Sequence, residues 1–221
     1  MSYLVDQYHA APGGGGAFAS MTEALDPAPT IVPKTHFVEW FSGDALDSIW
    51  TLDGTGSGAM NDAVNGGYRL TTTSTTNEDE RIYFNNIRHY AHDGSVFISV
   101  ASMNSATDSL MHTGLIEQLT DTTDTRIQLY QFNPNETNVI LVTSVNTVDN
   151  KVDTGVVIST DTIKYKMELK SASALAWMDD DLTAISTASL PDVAMQPFHS
   201  ITTRTTAVKT SDIRYMECFN T

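Results

Sequence analysis

The chain has 221 residues, 41% hydrophobic and 18% charged, which supplies a core and excludes a disordered polyelectrolyte. Its 12 Lys and Arg against 27 Asp and Glu give a formal charge of −15, which repels phosphate backbones and anionic headgroups, so neither nucleic acid nor a membrane is an expected partner. The acidity reads equally well as a solvated surface in a salty medium or as protection against precipitation at high local copy number. The length fits one large β domain with a tail.

Residues 1–35 differ in texture from the rest. Four glycines run from Gly13 to Gly16, Pro27, Pro29 and Pro33 follow, and only Ser20 to Leu25 has the makings of a helical turn or two. A segment this rich in Gly and Pro buries little of its own surface and reads as an extended arm. Two readings stand: a disordered tail, or an assembly arm that docks on another subunit through Tyr3, Leu4, Val5, Tyr8, Phe18, Met21, Leu25 and Ile31. The opening Met1 to Asp6 has neither a basic nor an apolar signal region, so no signal peptide is expected.

From residue 36 to 221 short runs of Val, Ile, Tyr, Phe and Thr alternate with Asn, Asp, Gly and Ser clusters, the pattern of many antiparallel strands. Strands are expected near 36–42, 47–52, 66–74, 80–85, 94–103, 111–119, 125–132, 138–146, 154–159, 162–170, 174–178, 183–188, 197–206 and 211–219. In Thr162 to Leu169 the apolar residues fall on every second position, as a half-buried strand requires. No helical period is sustained after residue 35, so the expectation is an all-β fold with two packed antiparallel sheets. The single Cys218 excludes an internal disulfide and is expected as a small buried hydrophobe in the last strand.

Three passages, in order, carry a family resemblance. Phe41 to Trp50, followed by Gly66-Gly67-Tyr68-Arg69-Leu70, has an aromatic strand, a turn with Asp before a Trp, and a Gly pair opening the next strand. Leu175 to Ala184 has the form of a hairpin whose return strand opens with Leu182. Leu190-Pro191 and Gln196-Pro197-Phe198 precede a closing strand around Tyr215. Together they resemble the concanavalin A-like (laminin G-like) jelly-roll domains of structural proteins of tailed bacteriophages and related viruses. The resemblance implies a jelly-roll sandwich whose last strand lies beside its first. Where the family usually has Gly in the hairpin this chain has Asp180, which must then adopt a left-handed conformation.

The sequence matches no catalytic pattern. Glucanases with this sandwich need two or three carboxylates on alternating positions of one strand, and no Glu-x-Asp-x-x-Glu occurs. The acidic groups Asn77 to Glu80 and Asp179 to Asp181 read as solvated loops. Calcium is the one ion the acidic loops suit, with Asp121, Asp124, Asp179 and Asp181 as candidate ligands in no defined motif. His89 and His92 read as part of a loop rather than a zinc site. Trp40, Trp50 and Trp177 read as core.

The sequence expectation is therefore a non-enzymatic virion structural protein without cofactors. It would decorate or cement a capsid, or attach a turret or tail. Its partners would be capsid or other virion proteins and further copies of itself, a trimer for example, assembled in the host cytoplasm. The alternative is a receptor- or carbohydrate-binding module of a tail fibre, bound to a host-surface glycan through loop aromatics such as Tyr90 or Phe132.

Overall fold

In the computed structural model the described residues are 36–61, 66–84, 94–117, 125–132 and 136–220. The chain divides into Met1–Pro33 and Lys34–Thr221, and all described residues belong to the second unit. The arm residues Tyr3 to Ile31, the ion candidates Asp121 and Asp124, the pair His89 and His92, and Tyr90 lie outside the described residues, as does the side chain of Phe132.

Every regular element among the described residues is a strand. One sheet holds β1 (His36–Glu39), β3 (Ser57–Met60), β4 (Tyr68–Thr71), β6 (Ser95–Met103), β11 (Ile163–Leu169), β12 (Ala174–Met178), β13 (Asp181–Ser186) and β15 (Thr210–Asn220). The other holds β2 (Trp50–Gly54), β5 (Asp79–Phe84), β7 (Ser109–Ile116), β8 (Arg126–Phe132), β9 (Asn138–Val145), β10 (Val148–Val157) and β14 (Gln196–Thr203). Their orders are β13-β12-β11-β6-β15-β4-β3, with β1 also on β15, and β10-β9-β8-β7-β14-β5-β2. All pairings are antiparallel, and the first strand lies beside the last, His36 against Phe219 and Glu39 against Met216.

Alternation builds the core. On β11, Ile163, Tyr165, Met167 and Leu169 are buried while Lys164, Lys166 and Glu168 face outward. Facing side chains from the other sheet include Leu115, Ile127, Leu129 and Leu141, all fully buried with Phe97 of β6 in one cluster. Burying each such side chain stabilises by roughly 1.5–3 kcal/mol. Cys218 is buried in β15.

The core is also laced with polar pairs, each joining one sheet to the other. Ser99 and Thr113 hydroxyls meet at 2.9 Å, Thr143 and Ser186 hydroxyls at 2.8 Å, and His199 Nε2 and Ser211 Oγ at 2.7 Å. The Gln131 amide donates to the Tyr165 hydroxyl. Buried groups of this kind are costly unless paired, so each bond holds the two sheets in one relative register.

Turn chemistry agrees with the sequence where it is local. The Trp50 N–H donates to Asp47 O at 3.0 Å and the Ile49 N–H to Asp47 Oδ1 at 3.1 Å, closing the turn expected before Trp50. Asp179 and Asp180 form the two-residue turn between β12 and β13 with φ of 50° and 72°, so Asp180 does bear the left-handed conformation that its sequence position demands.

Several expectations are corrected. β10 begins at Val148, not at residue 154, because a tight Asn146–Thr147 turn with φ of 47° and 78° lays Asp149-Asn150-Lys151 against β9. Pairing overrides poor local strand propensity there. β3 was not expected at all. Its Gly58 packs so closely that a Cβ would lie 2.2 Å from the Tyr68 hydroxyl, leaving no side-chain pattern to read. Of the tryptophans only Trp50 is core. Trp40 is 63% exposed and rests on Tyr215 at 4.5 Å, and Trp177 faces outward under Lys166 Nζ at 4.4 Å. Glu80, read as a loop acid, is instead 1% exposed, because β5 starts at Asp79 and alternation turns the next side chain inward.

Candidate functional site

The outer face of the seven-stranded sheet carries the site. Its registers place residues from distant parts of the chain in rows across the strands. One row runs Arg81, Ser200, His112, Tyr130 over β5, β14, β7 and β8. The next runs Tyr83, Phe198, Gly114, Gln128, and a third runs Gln196, Ile116, Arg126, Ser144, Asp149 out to β10.

From these rows Arg81, Ser200, His112, Phe198, Gln128, Ile116 and Arg126 line a cleft of about 380 Å³ over the middle strands, with Asn77, Asp79, Thr202 and Arg204 at one end. That volume falls in the range of small-ligand sites, roughly 300–1,000 Å³. Gly114 lets β7 and β8 pair closely beneath it: a Cβ there would meet the Ile127 carbonyl oxygen at 2.3 Å.

The charged groups are held in place. Arg81 donates from Nε to Asp53 Oδ2 at 2.9 Å, and its other nitrogens stand 2.7 Å from Asp53 and 3.5 Å from Asp79. Arg126 Nη2 donates to both Asp149 oxygens at 2.8 and 2.9 Å. Arg204 Nη1 donates to Asn77 Oδ1 at 2.8 Å.

His112 lies among them with the Tyr130 ring 5.8 Å and the Phe198 ring 6.5 Å away. Burial, then the charges of Arg126 and Arg204, push its pKa down to about 3, so at neutral pH it is an uncharged imidazole with one nitrogen suited to donate a hydrogen bond and the other to accept one. Burial raises the Tyr130 phenol above its ordinary value, keeping it a neutral donor, with Lys151 Nζ 5.5 Å over its ring. The arrangement thus offers guanidinium, amide, hydroxyl and imidazole groups around two aromatic rings.

Asp179 and Asp181 are far from this in role. The Asp179 carboxylate accepts the Lys164 N–H at 3.0 Å, and Asp181 opens β13 in the open. Among the described residues no three His, Cys, Asp or Glu side chains gather as a metal site would require. His112, Arg81, Arg126, Arg204, Gln128 and Ser200 were all missed from sequence. The one signal they leave is a polar residue at alternate positions of apolar strands, as in Arg126, Gln128 and Tyr130 of β8.

No family model and no curated protein matches the sequence. Solved structures do match the fold. The β-glucanase of Bacillus licheniformis aligns with a TM-score of 0.62 at 14% identity, covering 84% of this chain and 98% of that one. An immunostimulatory antigen and pseudo β-1,3-glucanase of Mycobacterium tuberculosis aligns with 0.64 at 11% identity, covering 84% and 98%. The carbohydrate recognition domain of Emp46p aligns with 0.56 at 10% identity, covering 78% and 88%.

These neighbours overturn two expectations from the sequence. The virion structural role finds no counterpart among them, whereas glycoside hydrolases and a carbohydrate recognition domain do. The exclusion of catalysis also fails, because glucanases carry this same sandwich. The three passages that carry the viral resemblance lie in strands and turns of the sandwich, and a fold does not fix a role. The chain is a concanavalin A-like jelly-roll sandwich.

Proposed function

We propose that the protein acts on carbohydrate, with the cleft on the outer face of its seven-stranded sheet as the saccharide-binding groove. The observation that carries this is the convergence on one cleft of Arg81, Ser200, His112 and Gln128 from four separate strands, with the Tyr130 ring 5.8 Å from that of His112. A sugar needs donors and acceptors set around an apolar ring face, and Phe198 and Tyr130 supply the rings. The glucanases and the carbohydrate recognition domain that share the fold support the reading.

The test is a glycan array with the purified chain, followed by incubation with each bound glycan to measure released reducing ends. Binding should fall about tenfold in His112→Ala and in Tyr130→Ala, consistent with the loss of one or two hydrogen bonds. Binding unchanged in both variants but lost in Trp40→Ala would move the site to the opposite sheet and refute the groove.

A further inference from the structure

We infer that β13 is the pairing edge for a second copy of this chain, joining their two eight-stranded sheets into one across a two-fold axis at Ala184. This goes beyond the saccharide reading and is independent of it, since pairing edge to edge leaves the outer face of the seven-stranded sheet open.

Edge strands expose unpaired backbone N–H and C=O groups, and proteins blunt them with short length, charge, proline or cover. β13 ends its sheet and pairs with β12 alone. Its six residues, Asp181 to Ser186, hold no Lys and no Pro, and their one charge stands at the start. The other sheet edges are treated differently. β1 and β3 are four residues long, β2 carries Asp53, and β10 carries Asp149, Lys151 and Asp153 with a bulge before Val157.

Apolar surface collects at this edge. Leu182 and Ile185 are each 51% exposed. Leu182 pairs with Trp177 and Ile185 with Leu175, so the two exposed side chains continue an apolar block on the outer face of the sheet. β10 lies beside β13, where the Asn150 amide donates to Ser186 Oγ at 2.8 Å, and it exposes Val148 and Val157. Four of the eight large apolar side chains exposed among the described residues thus lie on these two neighbouring edge strands, a clustering that marks an interaction surface.

A bulge in β13 makes this edge fit a copy of itself. Trp177 pairs with Leu182 and Ala176 with Ala184, so Thr183 is an extra residue, tied to β12 by its hydroxyl, which donates to Ala176 O at 3.2 Å. Without it, Leu182 and Ile185 would point to opposite faces, being three residues apart. With it, the ladder positions of the strand are Asp181, Leu182, Ala184, Ile185 and Ser186. An antiparallel copy centred on Ala184 sets Leu182 against Ile185 of the second copy, twice, and Asp181 against Ser186. Apolar side chains then meet apolar ones and no like charges face each other.

The experiment is sedimentation equilibrium of the full chain over about two decades of concentration. A reversible dimer is expected. Each copy carries a formal charge of −15, so added salt should tighten this dimer, whereas it would loosen an interface of ion pairs. Ile185→Lys sets an ammonium against Leu182 of the second copy at both ends of the pairing and should weaken the dimer by about tenfold or more. Val208→Lys, at an exposed apolar position outside both edge strands, should leave it unchanged. Register is read by oxidising cysteine variants. Leu182→Cys mixed with Ile185→Cys should give a disulfide-linked dimer, because directly opposite Cβ atoms stand about 5 Å apart. Either variant alone should give none, its copies lying on a diagonal of about 7–8 Å.

A single-chain mass at every concentration and salt would overturn the inference. So would a trimer, or a dimer that Ile185→Lys leaves intact. Disulfide formation by one cysteine variant alone, with none in the mixture, would overturn the two-fold register at Ala184. The mass of the unmodified chain is sufficient to refute the pairing even if a variant fails to fold.

Discussion

Acid should destabilise this fold earlier than its carboxylates alone would dictate, and His199 is the reason. Its ring is 0% exposed in the core, Nε2 lies 2.7 Å from Ser211 Oγ, and Nδ1 has no partner. Burial, then the charge of His112, lowers its pKa to about 3, against about 6.5 in an unfolded chain. Between those values the unfolded state binds one proton more than the folded state, so stability is fully present above about pH 6.5 and is lost as pH falls toward 3. The slope is about 1.4 kcal/mol per pH unit for one such group, and the fall from pH 6.5 to 5 therefore costs about 2 kcal/mol.

Two other groups titrate in the neighbourhood. His112 shifts in the same direction and to about the same value, so it adds its own proton to the slope of the native chain and of the variant alike. Glu80, whose pKa burial raises, works in the opposite sense, since its folded form favours the proton. The comparison that isolates His199 is urea unfolding of the native chain and of His199→Gln at pH 7, 6 and 5. Glutamine can keep a bond to Ser211 but cannot titrate. The variant should lose stability over this range more slowly than the native chain, by about one proton's worth of slope. Identical slopes would refute the claim that the buried imidazole drives acid sensitivity.

Two further substitutions probe the fold itself. Phe97→Ala, at a fully buried position central to the two-sheet core, should cost about 3–5 kcal/mol in chemical denaturation through lost burial and a residual cavity. Asp180→Gly should raise the midpoint of thermal unfolding by a few degrees at most. It relieves a φ of 72°, worth about 1 kcal/mol, against a lost exposed pair with Lys164 that contributes little.

What the sequence alone determined is the alternation and the turn chemistry written clearly in neighbouring residues. The every-second-position apolar pattern of Ile163 to Leu169 announced a strand with one buried face, and the structure buries those residues. The Asp179-Asp180 turn, the Asp47 turn before Trp50 and the burial of Cys218 were legible for the same reason. Most of the sheet membership was not, because it is set by pairings between residues as far apart as Arg69 and Asp212. Such contacts close long loops and leave no local trace.

The site belongs wholly to that second class. Arg81, His112, Arg126 and Ser200 each look like an ordinary polar residue on the wet side of a strand, and only the order β5-β14-β7-β8 makes them neighbours. The same strand order gives Glu80 a buried position that its acidic surroundings in sequence concealed. Periodicity tells which side of a strand a residue occupies, while the tertiary pairing decides what stands next to it, and a binding groove is made of the second kind of information.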